Sequence, residues 1–307
     1  MGCVGEVTVS VLMLTYNRQN MVKRAIESIL GQTFSDFEFI IVDNGSTDKS
    51  GAIAGEYAAK DSSLQAIHRP RGSISAGRNS ALDAAQGKYV AFIDDDDWTE
   101  PDFLEFLVHL IEETGADVAI CGAAGRVFDE RLVLSPEEAV SELLWRRRYN
   151  VQFPTKLIRR TLMDRFRFPS EGKYDDIALM PQLLASAKLV AYHGLPKYTF
   201  ERHTGNNSAW TTNHRLLTPE TLNEYLLVYR RRTQWLTKRF PESADKWQYF
   251  EWSFMISMVE KIQRLELSAC RPQLEAMLTE LRAARAAFLA CPEILDFEKD
   301  WMEQYVG

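Results

Sequence analysis

The sequence predicts an α/β fold: a mostly parallel sheet flanked by helices, with a C-terminal helical region. Three observations carry this. Short apolar runs alternate with helix-period segments through the first 125 residues, the pattern of a parallel sheet covered by crossover helices. Scattered short segments with turn residues follow, to about Trp210, and long helical sequence then runs from Thr218 onward. The expected regions are therefore 1–125, 126–212 and 213–307, and with 46% hydrophobic residues the chain can bury a substantial core.

The strand candidates are VTVSVLML from Val7, FEFIIVD from Phe37, LQAIH from Leu64, KYVAFID from Lys88 and DVAIC from Asp117. Between the first two, Val22, Ala25, Ile26, Ile29 and Leu30 recur at helical spacing until Gly31 stops the run. Thr99 with Asp102 three residues on is expected to box the start of a helix over 103–114. PEEAVSELLWRRRY reads as a helix from Pro136, and 247–262 as another, rich in aromatics and Met, whose plain role is packing.

A net charge of −7 argues against a general grip on nucleic acid, which needs a basic surface. The four cysteines, Cys3, Cys121, Cys270 and Cys291, lie far apart without CxxC spacing, so neither a zinc site nor a disulfide framework is indicated. No basic leader and no run of about 18 apolar residues is evident, and the expectation is a cytoplasmic, unanchored protein.

In an open parallel sheet, ligands settle outside the carboxyl ends of the strands. After the first strand comes TYNR, Thr15 to Arg18; after the second, DNGSTD, Asp43 to Asp48; after the fourth, Asp94 to Asp97. The first loop lacks G-x-G-x-x-G, which argues against a classical dinucleotide site. Asp43 could bond a base or simply cap its own turn. Four successive aspartates at the end of an apolar strand would pair by alternation if the chain stayed extended, Asp94 with Asp96 and Asp95 with Asp97. Paired carboxylates raise one another's pKa unless a cation compensates, and hard oxygen donors suit Mg²⁺ or Mn²⁺. The alternative is an acidic turn in which Asp97 caps the next helix.

VSVLMLTYNRQNMVKRAIESILGQTFSDFEFIIVDNGSTDKS, followed by SISAGRNSALDAAQGKYVAFIDDDDW, resembles the family 2 glycosyltransferases of the GT-A (Rossmann-like) fold. The resemblance implies a nucleotide-sugar donor, a UDP-sugar first among them. It implies that Thr15, Tyr16, Asn17 and Arg18 line the nucleotide, with Tyr16 stacking on the base, Asp43 bonding it and Arg78 facing the nucleotide. Ala76 and Gly77 depart from the common ARN pattern. The first and third positions of the family's D-x-D-D motif match Asp94 and Asp96, which would contact the ribose and the metal, with Asp96 the primary metal ligand, Asp94 and Asp95 secondary, and Asp94 and Asp95 also on the nucleotide side. KLIRRTLMDRFRFPSEGKYDDIALMPQLL resembles the segment leading to the acceptor-side acidic pair, which assigns Asp176 as catalytic base and Asp175 to the customary Glu; helix capping is the other reading of this pair. LPKYTFERHTGNNSAW resembles the family's Tyr-rich strand followed by an Arg and a Ser-bearing loop that closes over the donor. There Arg202 and His203 would meet the diphosphate or its metal, an exposed loop position being the other reading of His203, and Trp210 would stack on a sugar or anchor the loop.

The implied reaction is inverting transfer to a hydroxyl acceptor, glycan or lipid-linked, because one base on the face opposite the leaving diphosphate suffices. A catalytically silent nucleotide or carbohydrate binder of the same fold is the second reading. A nucleotidyltransferase is a third, though TYNRQN is not a Gly-rich phosphate loop. Arginine clusters at 146–148, 159–160 and 230–232 are either solvated helix faces or points of peripheral contact with an anionic acceptor or membrane surface.

Overall fold

The computed structural model describes residues 7–125, 127–169, 174–203, 211 and 213–307. It divides into two units, 1–201 and 202–307. The first contains every described strand. β1 (Val9–Thr15), β2 (Phe37–Asp43), β3 (Leu64–His68) and β4 (Tyr89–Asp94) are parallel and adjacent in the order β3-β2-β1-β4. All four are dominated by apolar residues, as strands covered on both faces must be. The covering helices in this half are α1 (Val22–Leu30), α2 (Ser50–Ala58) and α3 (Ile74–Ala84).

Beyond β4 the sheet is mixed. Strand β8 (Lys156–Arg159) runs antiparallel to both β4 and β6 (Val118–Ala123), while β9 (Val190–Thr199) is parallel to β6 and antiparallel to β5 (Trp98–Thr99) and β7 (Arg131–Leu134). The sheet thus has a parallel half followed by a mixed one. α4 (Phe103–Thr114), α5 (Pro136–Trp145), α6 (Arg160–Met163) and α7 (Asp175–Ser186) complete the unit. α5 starts with Pro136 at its first position behind a Ser135–Glu138 capping box, whereas α4 has no such box. Thr99 sits instead in β5, its Oγ1 donating to the Ser28 carbonyl, and Asp102 at the helix start makes no side-chain cap.

Val9, Val11 and Met13 of β1 pack with Val22, Ala25, Ile26 and Ile29 of α1 and with Phe103, Leu104 and Leu107 of α4, all shielded from solvent. At roughly 25 cal/mol per Å² of apolar surface, this burial fixes which strand ends face out. The register does the rest. Thr15 lies opposite Asp43, Asp43 opposite His68 and Leu14 opposite Asp94, so four strand ends deliver polar residues to one edge.

The second unit is helical: α8 (Pro219–Arg239) with Thr218 as N-cap, α9 (Ala244–Arg264), α10 (Arg271–Leu289) and α11 (Asp296–Trp301). The aromatic stretch lies inside α9, where Trp247, Tyr249 and Phe250 are buried, in keeping with a packing role. Among the described residues no helix is long and apolar enough to cross a membrane. Cys121, Cys270 and Cys291 are buried and free. Cys3 lies outside the described residues.

Candidate active site

The chain does not stay extended through the aspartates. β4 ends at Asp94, Asp95 and Asp96 form a turn, and the Asp97 N–H donates to the Asp94 carbonyl at 3.2 Å. The alternating pairs expected of a strand therefore do not form, and the carboxylates turn to different partners. Asp95 Oδ2 accepts from the Tyr16 N–H at 3.2 Å, and Oδ1 lies 3.7 Å from Arg18 Nε. Asp97 caps no helix: it accepts from the Tyr198 hydroxyl at 2.6 Å and the Glu201 N–H at 2.8 Å. Asp94 lies 3.9 Å from an Arg78 nitrogen. Asp96 is 8% exposed, and its carbonyl accepts from Arg24 Nη2 at 2.6 Å.

Concentrated burial has the electrostatic consequence expected of like charges in low dielectric. Burial, opposed by Arg78 and reinforced by Asp96, pushes Asp94 up to about 6. Burial likewise pushes Asp95 and Asp97 up to about 8. The donors are hard oxygens, a chemistry that fits Mg²⁺ or Mn²⁺. Among the described residues no group of three or more His, Cys, Asp or Glu is arranged to hold a metal alone. A cation here would complete its shell with oxygens from another molecule.

Asp175 and Asp176 open α7, where the helix dipole favours negative charge. Arg78, on α3, joins them: its Nη1 donates to Asp176 Oδ1 at 2.6 Å and lies 3.4 Å from Asp175. The Ser75 hydroxyl, one helical turn earlier, donates to Asp175 Oδ2 at 3.0 Å. The guanidinium lies over the rings of Phe168 and Phe153, 5.2 and 5.9 Å from their centroids. Its ion pairs push its own pKa up against burial. Arg78 thus spans carboxylates from two elements, Asp94 and the α7 pair. Burial raises Asp175 against the pull of Arg78. Asp175 Oδ1 also accepts from the Asp176 N–H at 3.2 Å, so capping and pairing coexist.

At the other end of the edge, Asp43 accepts from the Ser46 N–H at 3.0 Å and lies 3.2 Å from His68 Nδ1. It caps its turn and still faces the edge. Gly51 is required here, since a Cβ would come within 2.4 Å of Asp43 Oδ2. Thr15 is fully buried and its carbonyl accepts from the Asn44 N–H. Asn17, with φ 54°, ties the loops together through the Thr47 N–H at 2.8 Å. Tyr16 carries the Arg71 guanidinium 4.0 Å over its ring. At Gly77, the departure from ARN, a Cβ would meet Leu14 Cδ1 at 2.2 Å, so α3 lies close on β1.

Arg202 and His203 begin the second unit. Trp210 lies outside the described residues. The sequence reading missed Ser75, Arg24, Arg71 and Tyr198. Ser75 stands at i−3 from Arg78, a spacing that puts both on one helix face. The others reach the site only through tertiary contact.

The fold itself is shared with solved structures. The chain resembles Staphylococcus aureus TarS 1–349, with a TM-score of 0.65, 20% identity and coverage of 97% of this chain and 91% of that one. That protein is also known in complex with UDP-GlcNAc and with UDP. A Pyrobaculum calidifontis mannosyltransferase in complex with GDP-Man and Mn²⁺ matches with a TM-score of 0.55 at 16% identity, over 97% of this chain and 84% of that one. The architecture is therefore GT-A. The family model described as Glycosyl transferase family 2 matches residues 10–169, just over half the chain, and the chain belongs to that family. The putative glycosyltransferase EpsH of Bacillus subtilis (strain 168) is 32% identical over 213 residues, 64% of this chain and 61% of EpsH. EpsJ of the same organism, an uncharacterized glycosyltransferase, is 34% identical over 136 residues, 44% of this chain and 40% of EpsJ. The matched region thus spans less than two thirds of either relative.

Proposed function

We propose that this chain is an inverting, metal-dependent glycosyltransferase that moves a sugar from a nucleotide donor, UDP-linked, to a hydroxyl of a glycan or lipid-linked acceptor in polysaccharide or glycoconjugate synthesis. One observation carries the reading: a single guanidinium, that of the half-buried Arg78, bonds the α7 carboxylate Asp176 at 2.6 Å and lies 3.9 Å from Asp94 of the strand-end cluster. That spacing sets a base-type carboxylate beside a cation-type one, as displacement of a diphosphate requires.

Asp176 takes the proton of the acceptor hydroxyl. The hydroxyl oxygen forms a bond to the anomeric carbon as the bond to the diphosphate breaks on the opposite face. Arg78 holds Asp176 Oδ1, and the side chain keeps 23% exposure through which an acceptor reaches it. Asp175, fixed by Ser75, lends the pair its orientation. Thr15, Tyr16, Asn17, Arg18 and Asp43 form the nucleotide side. Asp96 and Asp94 would hold the divalent ion. When bound, the ion would neutralise charge developing on the leaving diphosphate. Regions 1–125, 126–212 and 213–307 serve as donor half, acceptor half and helical region. The complexes of TarS with UDP and UDP-GlcNAc, and of the mannosyltransferase with Mn²⁺, support the donor and metal classes by likeness of fold.

The test is turnover of a panel of nucleotide sugars with Mn²⁺, with EDTA and in Asp176→Asn. Metal-stimulated release of nucleoside diphosphate that collapses in the variant is expected. Binding without turnover of any donor would instead favour the silent binder.

A further inference from the structure

The aspartate turn has to aim Asp96, yet a turn leaves its own carbonyls without ladder partners. The Asp96 carbonyl finds one far away in sequence: Arg24, on the first helix, donates to it through Nη2 at 2.6 Å. Through Nη1 the same guanidinium bonds Glu201 at 3.1 Å, and its plane lies 3.9 Å over the ring of Trp98, two residues past Asp96. One residue after Asp96, the Asp97 carboxylate is gripped by the Tyr198 hydroxyl and the Glu201 N–H. The peptide carbonyl that leaves Asp96 is thus fixed from α1, and the next side chain from β9. Fixing that carbonyl fixes ψ of Asp96, and with it the direction in which its Cα–Cβ bond points. A planar fork that stacks on an aromatic ring while donating to two acceptors is a task for which Lys is no substitute.

We propose that Arg24 is a positioning residue for the metal-binding turn: by clamping the Asp96 carbonyl and stacking on Trp98, it aims the Asp96 carboxylate at the divalent ion. This rests on the reading of Asp96 as a metal ligand. Arg24 touches neither donor nor acceptor in this account, and its effect should fall on metal affinity and spare nucleotide affinity.

The test measures Mn²⁺ affinity by titration calorimetry with saturating UDP, and in a parallel arm with GDP, for wild type, Arg24→Ala, Arg24→Met and Arg24→Lys; UDP and GDP affinity without metal are measured alongside. The two neutral variants should weaken Mn²⁺ binding by about 10-fold or more, the range for partners that orient a ligand from behind. Metal-free nucleotide affinity should stay within about twofold. Arg24→Lys should recover part of the loss, since an ammonium can serve one carbonyl but not the fork. Arg24→Met keeps an apolar stem over Trp98 and so separates loss of the hydrogen bonds from loss of packing. Wild-type Mn²⁺ affinity in both neutral variants would overturn the proposal, as would an equal fall in metal-free nucleotide affinity. Wild type that takes up no Mn²⁺ with either nucleotide would reject the metal-dependent function itself, and this inference with it.

Discussion

The two acidic sites on the sheet edge are held in different ways. At the start of α7, Asp175 and Asp176 share a helix N-terminus and the guanidinium of Arg78, so their charge is met from two sides. At the end of β4, four carboxylates crowd a turn, with Arg18 3.7 Å from Asp95 and Arg78 3.9 Å from Asp94. Burial there drives Asp95 and Asp97 up to about 8. On the proposed function, the guanidinium-bridged pair serves proton transfer and the turn of hard oxygen donors serves a cation.

Breaking the α7 pair should cost most. Asp176→Asn is expected to lower kcat by about 10²–10⁴-fold, roughly 3–5 kcal/mol of transition-state stabilisation, with donor affinity retained in equilibrium binding. Near-wild-type turnover would remove the base from this residue. Next comes the turn. Asp96→Asn should reduce Mn²⁺ affinity by about 100-fold or more, exceeding the 10–100-fold typical of residues behind a ligand, as read by titration. Metal response intact in that variant would move the ion elsewhere.

Tyr198→Phe sharpens the contrast, because it strips a buried hydrogen bond from Asp97 and the acceptor of the Asp94 N–H without touching the α7 pair. A loss of about 1–3 kcal/mol in denaturant unfolding is expected, the penalty for buried polar groups left unsatisfied. An unchanged midpoint would mean that water or a rearranged partner replaces the hydroxyl.

The response to pH probes the turn without a substitution. Asp95 and Asp97 have folded pKa values, about 8, above the unfolded carboxylate range, so the folded state binds more protons between pH 4 and 8. Their contribution to stability is therefore present at low pH and lost as pH rises toward 8, with a slope of up to about 1.4 kcal/mol per pH unit per group. With EDTA, Tm should fall from pH 5 to 8 on this account. With Mn²⁺ the fall should shrink or reverse, because metal binding strengthens as the carboxylates deprotonate. Identical pH curves with and without metal would deny the turn its proposed cation.

What could be read from the chain alone was whatever local periodicity encodes. β1, β2, β3, β4 and β6 fall on the apolar runs, whereas the two-residue β5 has no such run, and β2 matches FEFIIVD residue for residue. Parallel pairing then requires that Thr15, Asp43 and Asp94 share an edge, because helices covering both faces leave ligands only the strand ends. The α5 boundary was legible for a similar reason: Ser135, Pro136 and Glu138 are a local device that works without the rest of the protein. Thr99 and Asp102 offered the same local pattern ahead of α4, but long-range contacts overrode it, drawing Thr99 into β5 to pair with Tyr198.

Tertiary structure alone decided how the carboxylates are used. Alternation could not foresee that Asp95 and Asp96 form a turn, since a turn is set by what holds its two ends, here β4 on one side and the Tyr198 and Glu201 contacts of Asp97 on the other. Nor could it show Arg78 reaching Asp176 across 98 residues, or Arg24 reaching the Asp96 carbonyl across 72. Sequence periodicity specifies which face of an element is buried; the partners of a buried charge depend on how separate elements pack, and no spacing along the chain carries that information.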